Sequence, residues 1–307
     1  MTPAVEFDSI HVPAKQGAMS FKRIVVGLDY DESGRQVLQV ASQMAAVFGS
    51  KVYLVHAFLP PPPADDLQVI PGDYLQRSNA EASHHVQSAI AGASPSIDAK
   101  TWNISACIDD PAELVLKTAR DQQADLILLG SHGRRGLRNL LLGSTAETIL
   151  SRAECPVMVL GPEYEPQGAG WPTVLFATDL EKTGIRAAEY ASAIAARHHG
   201  SLLLLHVVSR KPRADGETRE WVEDHIRETL CRLLSPLALQ RCRHEAIVAY
   251  GDPAQEILAA ADMKRADLIV LGAGDHKVMA DHPPWRTVAH VIASARCPVL
   301  NVPAISR

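Results

Sequence analysis

The chain of 307 residues has room for two domains of ordinary size, each able to bury a core without disulfide or metal staples. Apolar residues make up 47% and charged residues 21%, with 20 prolines and 19 glycines scattered along the chain, which excludes a disordered or fibrous protein. The net charge of −5 would repel a polyphosphate backbone, so nucleic acid is not an expected partner.

Residues 1–20 mix Glu6, Asp8, His11 and Lys15 with no apolar core, so they read as an extension on a cytoplasmic protein and not as a secretory leader. The longest apolar runs, such as Leu202–Val208, fall far short of the roughly 20 residues of a membrane span. Cys107, Cys155, Cys231, Cys242 and Cys297 are odd in number and show no C-x-x-C spacing, which predicts buried thiols in a reducing compartment.

From residue 21 onward, short apolar runs alternate with stretches of helical period. Strands are predicted at 23–28, 51–57, 100–106, 125–130 and 156–160. The Pro- and Gly-rich stretch Gly161–Pro172 then reads as a linker. Further strands are predicted at 173–178, 201–208, 243–250, 267–271 and 298–302. Asp110-Pro111-x-Glu113 has the form of a helix start, with an Asp cap, Pro at the first helical position and an acid at the third, and Asp252-Pro253 repeats it with Gln255 in the acid's place.

The second set of elements repeats the first. Arg23–Asp29 aligns with Thr173–Asp179 and Val52–His56 with Leu202–His206 at an offset of 150. Asp110–Glu113 aligns with Asp252–Gln255, Ala124–Gly130 with Ala266–Gly272, and Cys155-Pro-Val with Cys297-Pro-Val at an offset of 142, which places one deletion inside the second copy. Apolar runs buried on both faces and joined by helices imply parallel strands with right-handed crossovers. The expectation is an α/β protein of two tandem doubly wound, five-stranded parallel sheets: an extension over 1–20, a first domain over 21–162, a linker over 163–172 and a second domain over 173–307.

In an open α/β sheet, ligands settle at the carboxyl ends of strands where the strand order reverses. The fourth strand of the first copy exits into Gly130-Ser-His-Gly133-Arg-Arg-Gly136, and the loop runs on to Gly143-Ser144-Thr145 at the start of the next helix. Gly130 and Gly133 allow backbone to approach a bound group, Ser144 with Glu147 fits a capping box, and Arg134, Arg135 and Arg138 could offset phosphate charge. The same glycines also suit a purely structural loop with solvated arginines. No Gly-Lys-Ser/Thr occurs, so conventional P-loop hydrolysis is not expected.

The motif Gly-x2-Gly-x9-Gly-Ser, met by Gly130, Gly133, Gly143 and Ser144, resembles the universal stress protein family, and the likeness extends over about 280 residues in tandem. It implies an adenine-nucleotide α-hydrolase-like fold with strand order 3-2-1-4-5 and a site for ATP or another adenine nucleotide, with Mg²⁺ as a companion to the phosphates. By that resemblance Gly27, Leu28 and Asp29 hold the adenine or ribose beside Ala57 and Leu129, and Gly130, His132, Gly133, Arg134, Gly143, Ser144 and Thr145 wrap the ribose and phosphates. It also implies pairing of the fifth strands, Val157–Leu160 with Val299–Val302, as an intramolecular pseudo-dimer or between chains as a homodimer.

The second copy departs from the motif: Gly133 becomes Asp275, Gly143 becomes Trp285 and Ser144 becomes Arg286, with Pro283-Pro284 just before. One nucleotide site per chain is therefore expected, in an ATP-binding stress-response regulator with at most slow hydrolysis. A nucleotide-independent interaction module is the alternative. An α-hydrolase enzyme would want Ser-Gly-Gly after the first strand, where this chain has Gly27-Leu-Asp-Tyr-Asp-Glu-Ser-Gly34. The histidine pairs His84-His85 and His198-His199, and Asp275-His276 with Asp281-His282, lack metal-ligand spacing, so no metal site is assigned to them. His56 and His206 end equivalent strands, which predicts a shared structural hydrogen bond. Pro60–Pro63 followed by Asp65-Asp66 reads as a rigid connection, with a role as a lid over the nucleotide mouth also open.

Overall fold

The computed structural model describes residues 21–28, 32–57, 76–77, 80, 84, 102–107, 110–131, 142–166, 170–181, 184–209, 216–272 and 283–303. The first copy forms β1 (Arg23–Gly27), α1 (Glu32–Phe48), β2 (Lys51–Ala57), β3 (Trp102–Cys107), α2 (Pro111–Asp121), β4 (Leu126–Gly130), α3 (Ser144–Arg152) and β5 (Val157–Leu160). The second forms β6 (Thr173–Ala177), α4 (Gly184–Arg197), β7 (Ser201–Val208), α5 (Gly216–Arg232), α6 (Pro236–Arg241), β8 (Arg243–Tyr250), α7 (Pro253–Lys264), β9 (Leu268–Gly272), α8 (Pro283–Ser294) and β10 (Val299–Val302). All ten strands lie within two residues of their sequence-based limits.

The chain divides into two compact units. One comprises Ser20–Gly170 with Ile292–Asn301, and its parallel strands run in the order β3-β2-β1-β4-β5. In the same unit β10 lies antiparallel to β5, pairing Val299 with Val159, Leu300 with Met158 and Asn301 with Val157. At the copy offset of 142 this register is symmetric about the Met158–Leu300 pair. The fifth strands therefore pair within the chain. The other unit, built on Trp171–Val291, has parallel strands in the order β8-β7-β6-β9.

Helices cover the sheet faces, so strand interiors are buried on both sides, and this is why the strands read as unbroken apolar runs. Ile24, Val25, Val26, Leu126, Ile127 and Leu128 are fully buried, and α1 seals one face with Val37, Leu38, Val40, Ala41 and Met44. Each such large side chain contributes roughly 1.5–3 kcal/mol.

Polar side chains then fix where elements begin. Asp110 caps α2, its Oδ1 accepting the N–H groups of Ala112 and Glu113 at 3.0 Å each, and Asp252 caps α7 by accepting from the Gln255 N–H at 3.1 Å. The repeated Ala-Asp before the fourth strand has a second structural task. Asp125 accepts from the N–H groups of Lys22 at 2.9 Å and Arg23 at 2.8 Å, and Asp267 from that of Thr173 at 2.8 Å, so each ties the start of a fourth strand to the start of a first. Among the described residues no helix is long and apolar enough to cross a membrane. Cys155, Cys231, Cys242 and Cys297 are thiols, and burial pushes the Cys231 and Cys242 pKa values up.

Candidate functional site

In the first unit the strand order reverses between β1 and β4, and the carboxyl ends of β1, β2 and β4 form one lip there. Gly27 ends β1. A Cβ on it would stand 3.3 Å from Val115 Cγ2 and 3.8 Å from Leu129 Cβ, so the missing side chain lets α2 close against the sheet. Leu28 follows, buried, and its N–H donates to the Val55 carbonyl at 2.9 Å, extending the β1–β2 ladder past the strand. Half-buried Ala57 ends β2, and buried Leu129 with half-buried Gly130 ends β4. The lip thus brings Gly27, Leu28, Ala57, Leu129 and Gly130 together.

His56 braces this lip. Its Nδ1 lies 2.7 Å from the Leu28 carbonyl oxygen and the residue is buried, as its position at the end of the strand predicts. A carbonyl can only accept, so Nδ1 carries the proton and donates it.

The glycine loop is closed at its base. The Ser131 N–H donates to the Leu160 carbonyl and the Gly143 N–H to the Ser131 carbonyl, both at 2.9 Å. Gly130 and Gly143, the first and last glycines of the motif, are thereby drawn together at the exit of β4. The expected capping box is not formed. Gly143, extended at φ −64° and ψ 144°, is the N-cap of α3 and supplies no side-chain cap, while Ser144 is already the first helical residue. The reason is that Gly143 is held on both sides, its N–H by Ser131 and its carbonyl by the Glu147 N–H at 2.9 Å. Ser144 is exposed and Thr145 half-buried at the head of the helix. Asp29, His132, Gly133 and Arg134 lie outside the described residues, as do Arg135, Arg138 and Pro60–Asp66.

Comparison with known proteins decides the family. The family model described as the universal stress protein family matches residues 20–161 and again 170–303. The chain belongs to the universal stress protein family. A universal stress protein of Methanocaldococcus jannaschii, MJ0531, is 26% identical over 165 residues, covering 51% of this chain and 92% of its own length. Universal stress protein A homolog 2 of Coxiella burnetii is 30% identical over 151 residues, 46% of this chain and 95% of that protein. Among solved structures, a universal stress protein from Archaeoglobus fulgidus shares the fold over 93% of this chain and 98% of its own, at a TM-score of 0.63 and 20% identity.

The second universal stress domain keeps the brace and changes the rest. His206 Nδ1 donates to the Thr178 carbonyl at 2.8 Å, the same bond as in the first domain. Thr178 Oγ1 accepts from the Leu180 N–H and Asp179 Oδ1 from the Glu181 N–H, both at 3.0 Å, so the turn after β6 uses its own acceptors. Leu180 adopts φ 66°, a left-handed conformation costly for a side chain of its size, and is buried. A Cβ on Gly272 would stand 3.1 Å from the Gly184 Cα, so this surviving motif glycine serves the close approach of α4 to β9. At the offset of 142 the first residue of α3 corresponds to Arg286, yet α8 begins at Pro283, three residues earlier. Its first two residues are prolines without N–H groups, where the first domain begins with Ser144 and Thr145. Residues 273–282, including His276 and His282, lie outside the described residues. Among the described residues no three His, Cys, Asp or Glu side chains gather in a metal-binding group.

Two residues at the site carried no sequence signal. Ser131 and Leu160 hold the base of the loop through backbone groups alone, which residue identity does not reveal.

Proposed function

We propose that this universal stress protein is a cytoplasmic stress-response regulator that binds one adenine nucleotide, ATP with Mg²⁺, in the domain spanning 21–162, and none in that spanning 173–307. Gly27, Leu28 and Asp29 with Ala57 and Leu129 receive the adenine and ribose. Gly130, His132, Gly133, Arg134, Gly143, Ser144 and Thr145 receive the phosphates. The observation that carries the reading is the base of the glycine loop: Gly143 is fixed against Ser131 and heads α3 with no side-chain cap hydrogen bond, at a helix N-terminus where backbone N–H groups and the helix dipole favour an anion. Neutral backbone donors and a phosphate fit one another, and loop arginines add the charge a polyphosphate needs.

The contrast between domains supports one site per chain. Two prolines open α8, and the acceptors after β6 are already engaged. That self-satisfied turn favours a second role for the domain spanning 173–307, as a surface for interaction and not a pocket. Antiparallel pairing of β5 with β10 supports a self-contained pseudo-dimer, with a homodimer through these edges as the competing assembly. Binding and not turnover is the expected output, since the loop holds no P-loop lysine. Calorimetric titration with ATP and Mg²⁺ tests the site: the wild-type chain binds, and Gly133→Asp, which copies Asp275, abolishes binding. Unaltered binding by that variant would overturn the phosphate-loop account.

A further inference from the structure

We infer that His56 is a positioning residue for the nucleotide site, acting through the Leu28 carbonyl to hold the exit of β1. This rests on the proposed first-domain site. The imidazole reaches across from the end of β2 and donates from Nδ1 to the Leu28 oxygen at 2.7 Å. The Leu28 N–H is held in turn by the Val55 carbonyl at 2.9 Å. Both polar groups of the Leu28 backbone are therefore anchored to β2, one step before Asp29 in the chain. With the peptide on each side of its Cα hydrogen-bonded, Leu28 has little conformational freedom. Leu28, one of the residues proposed to receive the adenine and ribose, is thus held at the exit of β1 by His56.

The second domain supplies an internal control. His206 makes the equivalent bond to Thr178 at 2.8 Å, in a domain whose sequence departs from the glycine motif. If the histidines served stability alone, removing either would lower the melting temperature and neither would alter nucleotide affinity. If His56 positions the site, only its removal weakens binding.

Side-chain geometry supplies the second control. Asparagine carries its amide nitrogen at the same covalent distance from Cβ as histidine Nδ1, whereas glutamine carries it one bond further out. His56→Asn therefore retains the donor and His56→Gln misplaces it. The experiment is ATP·Mg²⁺ titration of the full chain, wild type against His56→Asn, His56→Gln and His206→Gln, at a temperature where all four are folded by circular dichroism.

The expected result is a three- to tenfold weaker Kd for His56→Gln, about the worth of one buried hydrogen bond. His56→Asn and His206→Gln should bind as the wild type does. Wild-type affinity in His56→Gln would overturn the positioning role and leave the nucleotide site standing. Weakening in His206→Gln, or in His56→Asn as much as in His56→Gln, would also overturn it. Absence of binding by the wild type would overturn the site itself and the inference with it.

Discussion

Replacing Gly161 with alanine tests the packing at the end of β5. A Cβ built there lies 2.0 Å from the Ile292 carbonyl oxygen, 3.3 Å from that carbonyl carbon and 3.5 Å from the Ala295 oxygen. The first of these is about 1 Å or more inside the closest approach of a methyl group to an oxygen. Both partners are backbone, so no rotamer change relieves the clash, and either the Gly161 chain or the end of α8 must move by a similar distance. Movement there strains the neighbouring β5–β10 pairs, whose six residues are all buried. Overpacking a yielding core costs about 1–3 kcal/mol, and an unyielding backbone contact belongs at or beyond the upper end, about 3 kcal/mol or more. Gly27→Ala is the matched control, because its Cβ meets a side-chain methyl of Val115 at 3.3 Å that can give by a few tenths of an ångström. Urea unfolding followed by circular dichroism reads both. A loss below about 1 kcal/mol in Gly161→Ala, or a larger loss in Gly27→Ala, would rule out an unyielding backbone contact at Gly161.

Other perturbations follow from single contacts. Asp110→Ala removes a cap that accepts two N–H groups and should cost about 1 kcal/mol, with Asp252→Ala, which loses one, costing less; urea midpoints rank them. Burial and the neighbouring Arg197 hold the His198 pKa below its ordinary 6.5, against an opposing pull from Asp267, and the ring packs edge-on to Trp171. The folded state thus favours the neutral imidazole: this contribution is intact above pH 6.5 and is lost as pH falls from 6.5 through the folded value. Asp267, whose carboxyl is pushed up by burial, acts with the opposite sign at lower pH. His198→Phe should flatten the fall in melting temperature just below pH 6.5, and an unchanged pH profile would contradict the assignment.

Much of the fold was legible because parallel strands buried on both faces leave continuous apolar runs, and because the chain states its fold twice. Val52–His56 and Leu202–His206 align without ambiguity, and both lie in strands that carry the same histidine bond near their carboxyl ends. Asp110 and Asp252 were readable as caps since the residue after each is proline, which fits only the first helical turn. Asp125 and Asp267 went unread, although the repeat displayed them, because an acid before a strand has no local signature and its partners lie about 100 residues away. Ser144 was misread for a related reason. Ser followed three residues later by Glu satisfies the local rule for a capping box, but the Ser131–Gly143 bond shifts the cap to Gly143. The closed turn after β6 is also invisible in the sequence, since Asp179 aligns with Asp29 and only the structure shows its Oδ1 engaged by the Glu181 N–H and Thr178 Oγ1 by the Leu180 N–H.

Native mass spectrometry of the freshly purified chain, alone and then titrated with ATP and Mg²⁺, counts the nucleotides that each chain holds. Saturation is expected at one adenine nucleotide per chain, lost in Gly133→Asp and kept when the second domain is altered at Asp179. Two nucleotides per chain would contradict the reading of the second domain, and none before or after titration would contradict the site as a whole.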